Sequence, residues 1–147
     1  MNEQTRPTEG TSASPAESTA VAPRVATLLD AAAARLTKAG VDTARHDAKL
    51  LLAEATGSTP SDVDKAALMG DTVDQFASAA EDGEHGNRPA PLAEFESMLA
   101  RREAREPLQH IVGHAPFRYL ELEVGPGVFV PRPETELAVQ EAIDWIT

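Results

Sequence analysis

The feature that most constrains this chain is a segment in which strand-like runs, a glycine–proline turn and a proline-flanked arginine follow one another without a break. It covers residues 106–136, EPLQHIVGHAPFRYLELEVGPGVFVPRPETE. Within 117–124, Leu120, Leu122 and Val124 alternate with Glu121 and Glu123, the period-two pattern of a half-buried strand. After the Gly-Pro-Gly turn, 128–130 reads as a short return strand, and 108–112 is a candidate third strand. Because a lone hairpin is only marginally stable in water, this ribbon must pack on neighbouring structure.

Upstream of this segment the apolar residues recur at helical spacing. The pattern predicts helices over five stretches, at 24–39, 43–56, 61–69, 72–80 and 92–105. Ser61, with Asp64 three residues later, is the expected cap of the third helix. Aromatic residues make up only 4% of the chain, so alanine and leucine must fill the core, which favours close-packed helices. We therefore expect a mainly α fold with a small bundle over 24–106, interrupted by an acidic loop at 81–91.

The two ends of the chain differ in character. Residues 1–23 are mostly Ser, Thr, Ala, Pro, Gly and Glu, and such a segment predicts a disordered tail. From Pro133 to the last residue the helical period returns, with Glu134 and Glu136 suited to the positive end of a helix. Because this helix reaches residue 147, we expect the chain to be the front part of a larger protein. The hairpin at 107–132 would then link the bundle to a second domain.

Charge and composition exclude several classes of function. The net charge is −11, which disfavours binding to nucleic acid or to an anionic membrane surface. The chain has no cysteine, which excludes disulfides and thiolate chemistry. The sequence has no apolar run long enough to cross a bilayer and no secretory signal, so a cytoplasmic protein is expected.

Arg132 is the first candidate site residue, because prolines at 131 and 133 restrict the backbone around it. An arginine held in this way could present its guanidinium to a carboxylate or to a partner surface. Spacing alone favours the simpler interpretation, a rigid corner with a solvated side chain. Glu134 and Thr135 could position a substrate, although helix capping suffices to explain them.

Other charged residues carry weaker signals. His110 and His114 are four residues apart, but no third metal ligand is evident, so a zinc site is not favoured. Arg101, Arg102 and Arg105 could contact an acidic partner, and a solvated helix end is the favoured interpretation. From these residues alone the chain is a helical module with a β-hairpin.

The segment as a whole resembles the linker of the HemK-type release-factor glutamine methyltransferases. In that family a helix ending in Arg-Arg precedes a Pro-Leu-Gln-His/Tyr-Ile-x-Gly stretch, a Phe-containing strand, Val-x-x-Gly-Val and a Pro-Arg-Pro-Glu/Asp-Thr-Glu signature. In the same order and spacing this chain has Arg101-Arg102, Pro107-Leu108-Gln109-His110-Ile111-Val112-Gly113, Phe117, Val124-Gly125-Pro126-Gly127-Val128 and Val130-Pro131-Arg132-Pro133-Glu134-Thr135-Glu136.

The resemblance implies a parent enzyme that transfers a methyl group from S-adenosylmethionine to the glutamine of the Gly-Gly-Gln loop of a peptide-chain release factor. The helical domain would engage the release factor, and the hairpin would join it to a Rossmann-like catalytic domain. The family's cofactor loop and its Asn-Pro-Pro-Tyr motif do not occur in this chain. The chain alone is therefore expected to be inactive and to bind no cofactor, with Arg132, Glu134 and Thr135 lining the approach to the active site.

Two features differ from the family pattern. They affect the expected contacts with partners rather than the resemblance to the family. Tyr119 stands where the family often has Gly in the hairpin, and the stretch at 81–91 looks like an insertion. Two other functions remain open at this point: a free-standing protein-binding module, and a methyltransferase that acts on a glutamine of a ribosomal protein.

Overall fold

The structure, a computed structural model, describes residues 22–80 and 90–146. The predicted tail at 1–23, apart from its last two residues, and the predicted loop at 81–91, apart from Ala90 and Pro91, lie outside the described residues. Within them, no helix has the length and apolarity needed to span a bilayer.

The described part of the chain is mainly helical, as expected, with one two-stranded antiparallel hairpin. In chain order its elements are α1 (Val25–Lys38), α2 (Ala44–Thr56), α3 (Pro60–Met69), α4 (Val73–Ala80), α5 (Pro91–Glu103), α6 (Leu108–Val112), β1 (His114–Phe117), β2 (Leu120–Glu123) and α7 (Pro133–Ile146). Pro91 lies in the first turn of α5, where its missing N–H costs nothing, so this helix begins one residue earlier than the sequence indicated.

A core formed by α1 to α6 holds the bundle together. Its largest fully buried side chains are Phe95, Leu36, Leu51, Leu52, Leu99, Val25, Val63 and Val73. Ala32 and Ala48 are also buried, and their small side chains let the helix backbones approach closely. Each fully buried large apolar side chain contributes about 1.5–3 kcal/mol, so the core is the main source of stability.

The cap of α3 differs from the one predicted. Thr59, not Ser61, is the N-cap, and its hydroxyl accepts a hydrogen bond from the backbone N–H of Asp62. The Asp62 carboxylate in turn accepts from the Thr59 backbone N–H, which completes a capping box. Pro60 occupies the first helical position, so the helix begins earlier than a cap at Ser61 would allow.

The prediction of a third strand at 108–112 is wrong, because these residues form α6. Leu108 and Ile111 are three positions apart, and both are buried against the bundle. Gly113 then ends the helix with a φ of 86°, a left-handed conformation that glycine adopts without a steric penalty. The predicted linker at 107–132 therefore starts with a helical turn that belongs to the core.

The hairpin is also displaced from its predicted position. Phe117 pairs with Leu120, so the chain turns at Arg118 and Tyr119 rather than at the Gly-Pro-Gly sequence. Arg118 has a φ of 55°, which a side-chain-bearing residue adopts at some cost. The register is fixed because buried Ala115 of β1 faces the core directly after α6.

The Gly-Pro-Gly sequence does form a turn, but not one between paired strands. Val128 N–H donates to the Gly125 carbonyl at 2.9 Å, and Gly127 has a φ of 84° behind Pro126. These are the features of a type II β-turn. The predicted return strand at 128–130 is wrong: these residues are in no strand and lead toward α7.

Ion pairs between α1 and α5 make the stability of the bundle depend on pH. Arg35 donates from Nε and Nη2 to the two Glu103 oxygens, each at 2.9 Å, and from Nη1 to Glu96 at 2.7 Å. The hydrogen bonds from Arg35 hold the pKa of Glu103 below its usual range. Hydrogen bonds from Arg101 lower the pKa of Glu106 in the same way. These contributions are present above the unfolded glutamate pKa of about 4.3 and are lost as pH falls through the folded values.

We expect the free energy of unfolding to be flat near neutral pH and to fall on acidification below about pH 5. Urea denaturation at a series of pH values, followed by circular dichroism, measures this. The Glu103→Gln variant should be less stable at neutral pH and show a shallower loss on acidification. An unchanged pH profile in that variant would contradict the role assigned to Glu103.

Candidate functional site

The proline-flanked corner lies at the start of α7 as an open surface. Arg132 is exposed, and its carbonyl accepts a hydrogen bond from the Thr135 N–H at 2.9 Å, so it acts as the first residue of the helix turn. Glu134 and Thr135 are exposed as well. Within residues 22–80 and 90–146 the Arg132 guanidinium has no hydrogen-bond or ion-pair partner. The three predicted site residues are thus neighbours in one exposed segment at the start of α7.

Arg118 connects the hairpin to α7. Its backbone N–H donates to Glu136 Oε1 at 3.1 Å, and its Nη2 donates to Gln140 Oε1 at 2.7 Å. Gln140 donates in turn to Asp144 at 2.6 Å along the helix. Arg118, the left-handed residue of the hairpin turn, therefore sets the direction of α7 relative to the hairpin.

Most side chains of α7 are exposed. None of its residues is buried, and the exposed apolar side chains on it are Leu137, Ile143, Trp145 and Ile146. Phe129, just upstream, is 91% exposed. A group of large exposed apolar side chains on one helix is typical of a surface that another domain or protein covers.

The structure brings together a groove that the sequence did not indicate. It lies between α2, the start of α3, and the run from the end of α5 through the hairpin, and it has a volume of about 660 Å³. Its apolar lining residues include Leu50, Ala53, Pro107, Leu108, Val112 and Pro116. Apolar clefts of roughly 300–1,000 Å³ with a few polar groups are the usual form of binding sites.

His114 lies on one side of the groove between two carboxylates. Its Nδ1 is 2.7 Å from Glu121 Oε1, and its Nε2 is 3.3 Å from Glu54 Oε2. A neutral imidazole has one N–H and can donate to only one of these carboxylates. The cluster thus joins α2 to both strands of the hairpin.

A buried ion pair also lines the groove. Arg102 Nε lies 2.7 Å from Asp47 Oδ2, with 17% and 3% of the two side chains exposed. Thr43 donates to Asp47 Oδ1 at 2.7 Å, and Arg102 Nη1 donates to the Glu106 carbonyl at 2.8 Å. The interpretation of Arg102 as part of a solvated helix end is therefore wrong. The position of Asp47 within the apolar stripe of α2 was the available signal for a buried partner.

His110 and His114, four residues apart in sequence, contact different groups and do not form one site. His110 lies on α6, and its Nε2 is 3.0 Å from the Val128 carbonyl, whereas His114 lies on β1. In the part of the chain that the structure describes, no three His, Cys, Asp or Glu side chains are grouped as a metal site would require. Arg105 contacts the Gly40 carbonyl, which ties the end of α5 to the loop after α1.

Comparisons with known proteins identify a matching protein family and several proteins of similar sequence. The family model of the PrmC N-terminal domain matches residues 27–80 and 84–113. The release factor glutamine methyltransferase of Bifidobacterium longum is 53% identical over 120 residues, which cover 82% of this chain and 36% of that protein. The enzyme of the same name from Mycolicibacterium smegmatis is 45% identical, with the same coverage.

A third relative has a different activity in its name. The 4-amino-L-phenylalanine/4-methylamino-L-phenylalanine methyltransferase of Streptomyces pristinaespiralis is 40% identical over 127 residues, covering 85% of this chain and 37% of that protein. The chain therefore spans little more than a third of the length of these curated relatives.

Proposed function

The chain belongs to the family of release factor glutamine methyltransferases, and on this premise we propose that it is the substrate-recognition domain and linker of a protein-glutamine methyltransferase. The parent enzyme would act in the cytoplasm, with a peptide-chain release factor as its protein substrate. In this proposal the bundle at 24–106 engages the release factor, the linker at 107–132 aligns it, and 133–147 begins the catalytic domain.

The observation that carries this proposal is the way α7 is attached. It is fixed to the hairpin through Arg118, yet it buries none of its own residues. Such a helix is suited to pack against a further domain while the hairpin holds the bundle at a defined angle. In the parent enzyme this would fix the position of the bound protein relative to the reacting amide, and positioning of this kind contributes several kcal/mol to catalysis.

In this proposal the parent enzyme uses S-adenosylmethionine as methyl donor, and this chain alone does not bind it. The corner of Arg132, Glu134 and Thr135 is open surface, and the sequence has no Gly-x-Gly-x-x-Gly loop between a strand and a helix. We assign this chain the roles of binding and orientation within the parent enzyme.

Binding experiments with the chain itself test the proposed partner. Isothermal titration calorimetry should detect association of the 147-residue chain with purified release factor and no heat with S-adenosylmethionine. No association with the release factor, combined with binding of 4-amino-L-phenylalanine, would favour the small-molecule activity named for the Streptomyces relative. Preferential capture of a ribosomal protein would favour the other glutamine substrate.

A second measurement separates a recognition domain from a free-standing binding module. The full reading frame that contains this chain should methylate the release factor in vitro, and deletion of residues 24–106 should abolish the reaction on the intact factor. Release-factor binding by the chain without any methylation by the product of the full reading frame would instead support the free-standing module.

The role of Arg132 is tested in the same methylation assay. If the Arg132 guanidinium contacts the protein substrate, for example one of its carboxylates, Arg132→Ala should lower kcat/KM about 10- to 100-fold. This is the range for one charged hydrogen bond. Arg132→Lys should restore little, because lysine lacks the planar fork. Arg45→Ala, at an exposed position on α2, is the matched control. Equal activity of the Arg132 and Arg45 variants would show that the corner is only structural.

A further inference from the structure

We propose that Arg118 is a positioning residue, whose side chain holds α7 at a fixed angle to the hairpin and so determines where the parent enzyme presents its bound protein substrate. The inference rests on the proposed function for the reaction and deepens it by naming the residue that sets the alignment. Arg118 touches neither the substrate nor the reacting atoms in this arrangement. It acts through Glu136 and Gln140 on α7.

The backbone of Arg118 is the first argument. Arg118 is the first of the two residues between the paired positions Phe117 and Leu120, and its φ is 55°. In a two-residue hairpin loop, a first position with positive φ is one that glycine occupies without a steric penalty. This chain carries an arginine there, and backbone strain of this kind is found most often at functional positions.

The contacts of Arg118 are the second argument. Its Nη2 donates to Gln140 Oε1 at 2.7 Å and its backbone N–H donates to Glu136 Oε1 at 3.1 Å, so one residue bonds to two successive turns of α7. Its Nη1 is shielded from solvent, which places the guanidinium inside the contact between hairpin and helix. Because α7 has four acidic residues and no basic one, it attracts a cation at the hairpin turn.

The exposure of α7 is the third argument. None of the described residues of α7 is buried. Apolar burial, which fixes the helices of the bundle, therefore contributes little to the orientation of α7. A helix held mainly by polar contacts near solvent changes its orientation readily when one of them is removed. The side chain of Arg118 is thus well placed to control the angle between the hairpin and the helix that follows it.

Arg118→Gly tests the side chain while preserving the turn, because glycine adopts a positive φ without strain and keeps the backbone N–H that bonds to Glu136. Residual dipolar couplings of the isotope-labelled 147-residue chain report the orientation of α7 relative to the bundle. We expect α7 and the bundle to share one alignment in the unsubstituted chain and to lose it in the variant. A shared alignment that persists in Arg118→Gly, or that is absent from the unsubstituted chain, would overturn the proposal.

A double-mutant cycle tests Gln140 as the partner of Arg118. Gln140→Ala should cause the same loss of alignment, and combining it with Arg118→Gly should cause no further loss. Arg118→Lys, which keeps a cationic donor, should preserve part of the alignment. Glu141→Ala, at the neighbouring exposed position of α7, is the matched control and should change nothing. Additive effects of Arg118→Gly and Gln140→Ala would contradict the assigned contact.

Kinetics of the full reading frame connect this contact to the reaction. On the intact release factor, Arg118→Gly should lower kcat about tenfold, the scale of one charged hydrogen bond, and leave KM unchanged because the bundle still binds the factor. On a short peptide with only the reacting Gly-Gly-Gln loop, kcat/KM should stay the same, because the bundle aligns nothing there. A purely structural role would lower both activities together with the folded fraction, which thermal melts measure. Equal losses on the two substrates would overturn the positioning role.

The outcomes distinguish this inference from the proposed function. Methylation of the intact factor at an unchanged rate by Arg118→Gly would remove the positioning role and leave the proposed function in place. Loss of alignment in the variant chain, without methylation of the factor by the unsubstituted full-length protein, would support the contact between hairpin and α7. That second result would overturn the proposed function and, with it, the role of Arg118 in this reaction.

Discussion

Arg102→Ala is expected to lower the free energy of unfolding by about 3–5 kcal/mol, because it leaves the Asp47 carboxylate buried without its counter-ion. Asp47 is 2% exposed and lies on the apolar face of α2. The substitution also removes the hydrogen bond that Arg102 donates to the Glu106 carbonyl, where the chain leaves α5 for α6. Urea denaturation followed by far-ultraviolet circular dichroism measures the loss.

A nearby arginine provides the control. Arg101 pairs with Glu106 at the surface, where 42% of its side chain is exposed, so Arg101→Ala should cost no more than about 1 kcal/mol. Adding Asp47→Asn to Arg102→Ala should recover part of the stability, because the uncompensated charge is gone. Similar losses of stability for Arg101→Ala and Arg102→Ala would show that the buried ion pair stabilises the protein no more than the exposed one.

Phe95→Ala is expected to cost about 3–5 kcal/mol, the range for truncating a buried phenylalanine. Phe95 on α5 is fully buried and packs into the cluster formed with α1 and α2. For a domain of this size such a loss lowers the melting temperature by well over 10 °C. The same denaturation experiment measures it, and release-factor binding should fall with the folded fraction.

The matched control is the same substitution at an exposed phenylalanine. Phe129 is 91% exposed, so Phe129→Ala should change stability by no more than about 0.5 kcal/mol. A loss below 1 kcal/mol for Phe95→Ala would mean that the core collapses around the missing ring. Comparable losses at both positions would instead show that Phe129 is covered in solution.

The bundle could be predicted because its helices have long, regular apolar spacing. Leu29, Leu36, Leu51 and Leu52 all fall on predicted apolar faces, and all are buried. The segment 108–112 was wrongly predicted to be a strand, because five residues are too few for periodicity to distinguish a strand from a helical turn. Gly113, directly after this segment, was the available signal for a helix end. Arg118 gave no such signal, since a residue with a β-carbon is uncommon in a left-handed turn.

The groove could not be predicted from local patterns because it joins residues far apart in sequence. Glu54 and His114 meet across 60 positions, and Asp47 and Arg102 across 55. The period of α2 places Asp47 toward the core but does not name its partner. By contrast, Arg132, Glu134 and Thr135 stood out because they are adjacent, and their roles stay a prediction until the methylation assay is done.

One exposed side chain gives the molecule a built-in optical reporter. Trp145 is the only tryptophan of the chain, and it lies on α7 with 89% of its surface exposed. Its fluorescence should therefore shift to shorter wavelength when anything covers that helix, since a desolvated indole emits further to the blue. Loss of the helical core should leave its emission nearly unchanged. Tryptophan fluorescence can thus follow assembly, and far-ultraviolet circular dichroism can follow unfolding in the same sample.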